Sequence, residues 1–269
     1  MIYSFSILII TLLFFSCKKE ENPVEGCMDP LALNYNSEAS IDNGNCNYAP
    51  ITDINIHFTQ TVGGDTLILD NMMYVNQAGQ SYSVQTVRYL ISDITLYKND
   101  GGSTLLDEVH FIDISIPSTL TLSIPEIEYG SYTSIGFTMG LNNSKNITNL
   151  FLNENFFPSF TWPEFLGGGY HYMQLEGDFN TVFNGYATHT GATDGIDFSF
   201  NKLFPININA TNSIRDIDIN MDIANWYQNP EAFNFTTDGI MGDTNSQIIL
   251  QANGIEDVFS VQLQTSILF

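Results

Sequence analysis

The feature that most constrains this chain is the rhythm of its apolar residues from Ile51 onward. Short runs alternate apolar and polar side chains and are broken by Gly, Asn, Asp or Ser. A period of two puts every second side chain on one face of an extended strand, so each run has one face to bury and one to solvate. Asp53-Ile54-Asn55-Ile56-His57-Phe58 and the run from Arg88 to Tyr97 are the clearest cases. Others span 109–114, 119–124, 131–139, 170–176, 194–202, 206–209, 214–223, 248–250 and 258–263. The spacing of Ile147, Leu150 and Phe151 predicts no more than a turn or two of helix between Asn146 and Phe157. About eleven strands, with turn signals between them and no βαβ alternation, predict an all-β fold: an antiparallel β-sandwich over residues 51–269. The 20 Phe and 13 Tyr supply bulk for its core.

Ahead of the sandwich stand two other segments. Met1 to Phe15 is largely apolar and too short for the roughly 20 residues of a membrane span, which predicts an export signal. It ends in Leu13-Phe14-Phe15-Ser16-Cys17, and a small residue before a cysteine resembles the bacterial lipobox, whose cysteine carries lipid. Residues 1–17 are therefore expected to be a lipoprotein signal peptide, with Cys17 anchoring the chain in the membrane. Lys18-Lys19-Glu20-Glu21 opens a charged tether that resembles the surface-export signals of Bacteroidetes lipoproteins. An outer-membrane lipoprotein of the cell envelope, periplasmic or surface-exposed, is the expected location. The tether runs into a module closed by Cys27 and Cys46, the two segments together occupying residues 18–50. In an oxidising compartment this pair should form a disulfide, worth about 3 kcal/mol of unfolded-chain entropy in the loop model. Gly-Cys-x-Asp-Pro-x-Ala-x-Asn-Tyr-Asn, ending in Asp-x-Gly-x-Cys, resembles a small module of exported Bacteroidetes proteins. Within it Asp42, Asn43 and Asn45 are read as turn formers, with an oxygen-ligated cation as the alternative.

Charge excludes one class of partner. Seven Lys plus Arg against 30 Asp plus Glu give a net charge of −23, which repels nucleic acid. Asp216, Asp218, Asn220 and Asp222 alternate with apolar residues and are expected to form a solvated outer strand face. Catalytic signatures are missing: there is no Gly-x-Ser-x-Gly elbow, phosphate loop or His-Glu-x-x-His helix, so a non-enzyme is expected. Glu164 and Glu176 are the carboxylate pair that would have to do any acid-base work.

Rare, chemically capable side chains gather in one place. The stretch from Phe160 to Gly177 holds Trp162, one of two Trp, then Gly167-Gly168-Gly169 and His171, one of four His; His189-Thr190-Gly191 follows. On an unbroken strand His171, Met173 and Leu175 share a face, offering a nitrogen beside a thioether.

Several pieces then occur in a fixed order: Arg88 to Leu96, His110-Phe111-Ile112-Asp113, Ile124-Pro125 through Gly140, Gly169-Tyr170 through Gly177, and His189-Thr190-Gly191. In this series the chain resembles the MbnP-like family over residues 51–269. The resemblance implies an exported β-sandwich that binds copper for metal acquisition or storage. It also implies histidine ligands, drawn here from His57, His110, His171 and His189, and an oxidatively modified tryptophan at Trp162 with a redox enzyme as partner. The family commonly carries a second tryptophan close to the first, whereas here Pro163 and Glu164 follow. That difference motivates the alternative, a metal-free surface module binding a glycan or protein through aromatic-rich loops.

Overall fold

The structure, a computed structural model, describes residues 22–30, 32–48, 50–181, 184–210, 215–236 and 240–264. The signal segment, Cys17 and the Lys18-Lys19-Glu20 run lie outside the described residues. No helix among the described residues is long and apolar enough to cross a membrane. The chain divides into two compact units, residues 1–49 and 50–269.

In the first unit Cys27 and Cys46 are joined, with their Cα atoms 5.0 Å apart. Glu25–Gly26 pairs in parallel with Ile41–Asp42. Asn34 bridges the loop, donating to the Asn45 carbonyl at 2.7 Å and accepting from the Asn47 amide at 2.8 Å. Asp42 accepts from the Gly44 amide and Asn43 from the Asn45 amide. These side chains thus act as turn formers, and a disulfide replaces the core that so short a segment lacks.

The second unit is the sandwich. Its long strands are β1 (Ile51–Val62), β2 (Thr86–Lys98), β3 (Ser103–Asp113), β4 (Thr121–Glu128), β5 (Gly130–Met139), β6 (His171–Asp178), β7 (Gly185–Gly191), β8 (Phe200–Ala210), β9 (Arg215–Asp222) and β10 (Phe259–Leu263). In the first sheet the order is β7-β6-β2-β5-β8. β2 takes β3 along one edge and β6 and β5 in succession along the other. The second sheet runs β10-β9-β1, with β4 on β1. All these pairings are antiparallel except β1 with β9. Ile54, Ile56 and Phe58 of β1 and Ile217, Ile219 and Met221 of β9 face Val87, Tyr89, Ile91, Ile135, Phe137, Met173 and Leu175 in one core. Outward from the second sheet, Asp216, Asp218 and Asp222 accept hydrogen bonds from Asn55, Gln264 and the Gly63 and Gly64 amides.

Two strand assignments need correction. Ile248–Leu250 lies inside a helix, α2, Thr244–Glu256 (α1, the short Phe157–Phe160, precedes it). α2 buries Ser246, Gln247, Leu250, Asn253 and Gly254 and leaves Ile248 and Ile255 about half exposed. Its core face is helical in spacing but largely polar, so an apolar period could not reveal it. The helix does carry a start signal in Asp243, whose carboxylate accepts from the Ser246 amide at 2.9 Å. The strand expected over 194–202 begins only at Phe200, because Thr193 and Ile196 bridge a turn through Gly195 at φ +75°.

A second, smaller core lies on the outer face of the first sheet. Leu90, which points away from the inter-sheet core, meets Leu141, Phe156, Phe160, Tyr170, Tyr172 and Phe198 there. Phe151 and Phe156 pack on Tyr170 at 5.4 and 5.8 Å between ring centroids. This aromatic layer carries the segment before β6 over the sheet and so positions the site.

Candidate metal centre

The segment leading into β6 doubles back on itself. Thr161 bridges to Tyr170, and the Trp162 amide donates to the Gly169 carbonyl at 2.9 Å. The loop between them closes through Gly167, Gly168 and Gly169, all at positive φ. At Gly169 a Cβ would also meet Asn146 Oδ1 at 2.2 Å. Only glycine fits a left-handed backbone in so tight a space.

This hairpin lays Trp162, 2% exposed, beside the start of β6 and over the end of β7. A Cβ on Gly191 would lie 2.7 Å from the fused-ring carbons of Trp162, so the missing side chain is what gives the indole its seat. His171 meets Trp162 edge-on at 4.8 Å and His189 edge-on at 5.1 Å. Phe160 completes the wall at 5.5 Å from His171.

The register explains why the histidines meet. Between His171 and Met173 two residues of β6 advance against one of β7, a β-bulge. Beyond it Met173 and Leu175 enter the inter-sheet core, while Gln174 and Glu176 face outward. His189 is the cross-strand partner of Gln174 and lies on that outer face. The shared face expected for His171, Met173 and Leu175 is therefore broken: the bulge turns His171 toward His189 and leaves Met173 as core.

Both imidazoles are held by hydrogen bonds, His171 by backbone carbonyls and His189 by a carboxylate. His171 Nδ1 lies 3.2 Å from the Phe160 carbonyl oxygen, which only accepts, so Nδ1 carries the proton and Nε2 the lone pair. Burial, and then the neighbouring His189, push His171 down to about 4, so it is neutral at pH 7. His189 Nε2 lies 2.8 Å from Glu176 Oε1. That hydrogen bond holds the Glu176 carboxyl below the usual range, against its partial burial. His189 Nδ1 is buried with no hydrogen-bond partner among the described residues, as is Trp162 Nε1. Buried polar atoms of this kind are rare and costly.

From α2, Gln247 donates to the His189 and Ile240 carbonyls, both at 2.9 Å, and its Oε1 accepts from the Gly191 amide at 3.4 Å. It pins the strand end that carries both His189 and the seat of Trp162. Nothing in the local sequence signals Gln247, because it lies 58 residues from His189 and acts only through tertiary contact.

The other two histidines lie elsewhere. His57 points outward from β1, with Nδ1 3.1 Å from Thr121 Oγ1 and Nε2 3.3 Å from Asp216 Oδ1. His110 stacks on Phe58 at 4.9 Å, with Nε2 on the Thr119 carbonyl at 2.9 Å and Nδ1 3.5 Å from Asp107. His57 thus has a partner on each nitrogen, while His110 is tied through Nε2 with the Asp107 carboxylate beside Nδ1. Among the described residues no group of three or more His, Cys, Asp or Glu is disposed to hold a metal. A metal here would thus draw on His171 and His189, with His189 Nδ1 the buried ring nitrogen that has no partner among the described residues.

Comparison with known proteins places the family and the fold. The MbnP family model matches residues 51–245. The chain belongs to the MbnP family. A solved structure of MbnP from Methylosinus trichosporium is similar in fold, with a TM-score of 0.57 and 12% identity, covering 80% of this chain and 100% of that one. No curated protein sequence matches. The MbnP match spans both strands of the histidine pair and most of the sandwich, and stops within α2.

Proposed function

We propose that this MbnP-family chain is an exported, lipid-anchored protein that binds copper for acquisition or storage, and that it is not an enzyme. The observation that carries the reading is the buried, unpartnered Nδ1 of His189 beside a neutral His171, walled by Trp162 and Phe160. Imidazole nitrogens suit copper, and a metal-ligating histidine characteristically donates its other N–H to a carboxylate or carbonyl. Both histidines meet that condition, through Glu176 and the Phe160 carbonyl. Trp162, in edge contact with His171, is the side chain on which a partner redox enzyme would act. Cys17 supplies the lipid anchor, placing the protein in the cell envelope at the outer membrane.

The test is metal analysis and intact mass of protein purified under mild conditions from its native envelope. About one copper per chain, with a lipid adduct at Cys17, supports the reading; a metal-free protein that takes up no copper in titration refutes it. A second reading, the metal-free interaction module, draws on Phe165, 87% exposed on the turn that seats Trp162. Retention of a glycan or protein by chelator-treated protein, lost in F165A, would favour it.

A further inference from the structure

Glu176 offers an inference that rests on the copper reading and deepens it. Its carboxylate lies 2.8 Å from His189 Nε2 and reaches that ring from the adjacent strand along the outward face it shares with Gln174. Glu176 sits opposite Thr86 of β2, and Thr86 and Arg88 of that strand both favour its charged form. A carboxylate oxygen accepts and never donates, so it demands the proton on Nε2. The tautomer that results is the one with a bare Nδ1, and Nδ1 is the buried nitrogen without a partner. A neutral imidazole left free would populate both tautomers and rotate about its side-chain bonds.

We propose that Glu176 is the positioning residue of the metal centre: it selects the Nε2–H tautomer of His189 and aims Nδ1 at the space bounded by His171 and Trp162. Glu176 touches no metal in this role. It acts through His189, as outer-shell carboxylates act on ligating histidines elsewhere.

The test uses the full mature chain as wild type, E176Q and E176L. Glutamine keeps an acceptor oxygen, whereas leucine fills similar space with none. Long-range 1H–15N spectra of the histidine rings in metal-free protein read the tautomer directly, and chelator competition reads the affinity for copper. The expected result is an Nε2–H tautomer for His189 in wild type and E176Q, lost in E176L. Copper affinity should fall roughly 10- to 100-fold in E176L and only a few-fold in E176Q. A wild-type tautomer in folded E176L, or copper affinity equal to wild type there, overturns the role of Glu176 alone. A wild-type protein that keeps the Nε2–H tautomer yet takes up no copper overturns the copper reading, and the positioning role with it.

Discussion

One methyl group at Gly191 should unseat the tryptophan. An added Cβ would stand 2.7, 2.7 and 2.8 Å from Trp162 Cδ2, Cε3 and Cε2. Carbon atoms pack at about 3.5–4.0 Å, so the indole would have to retreat by about 1 Å. It has nowhere to go: His171 stands edge-on at 4.8 Å, and its own amide is tied to Gly169. Overpacking of a filled site costs about 1–3 kcal/mol. Gly191 is not at positive φ, so alanine meets no backbone strain and returns about 0.4–1 kcal/mol by stiffening the unfolded chain. The net expectation for G191A is a loss of about 1–2 kcal/mol, with red-shifted tryptophan emission and weaker copper binding. Gly185, on the same strand, is the control, since among the described residues a Cβ there meets nothing closer than 3.8 Å. Urea unfolding of both variants checks the argument. Equal stability and unchanged emission in G191A and G185A would refute the packing reasoning.

His171 is held at about 4 in the folded protein, against about 6.5 unfolded, so between those values the unfolded chain binds a proton that the folded chain does not. Stability should therefore fall as pH drops through that window, by up to about 3 kcal/mol. In the metal-free protein H171F should flatten this part of the pH profile relative to wild type. Q247A leaves the His189 and Ile240 carbonyls without their side-chain donor and should cost about 2–4 kcal/mol in denaturant unfolding. C27S with C46S removes a constraint worth about 3 kcal/mol and should abolish hydrogen-exchange protection over residues 22–48 while leaving protection in β1 and β9 intact.

The sandwich could be read from the chain because its strands have one apolar face. Ile54, Ile56 and Phe58 announce their own burial. Where the buried face is polar the signal fails. β7 buries Thr188 and Thr190 and α2 buries Ser246, Gln247 and Asn253, so neither element stood out by hydropathy. The candidate site is legible in composition, because Trp162, the three glycines, His171 and His189 are rare residues close together. Their geometry is not. The bulge that separates His171 from Met173 arises from pairing with β7, and the seat of Trp162 on Gly191 arises from the same register. His57 and His110 look equivalent to the other two in sequence, yet Thr121, Asp216, Asp107 and the Thr119 carbonyl occupy them.

The proposed copper ligands are His171 and His189 and neither of the other histidines. Copper titration under chelator competition of the mature wild-type chain, an H171A/H189A double variant and an H57A/H110A double variant tests this assignment directly. One equivalent of tightly held copper is expected in wild type and in folded H57A/H110A, and none in H171A/H189A. Copper retained by H171A/H189A, or lost from H57A/H110A while that variant remains folded, would contradict the assignment.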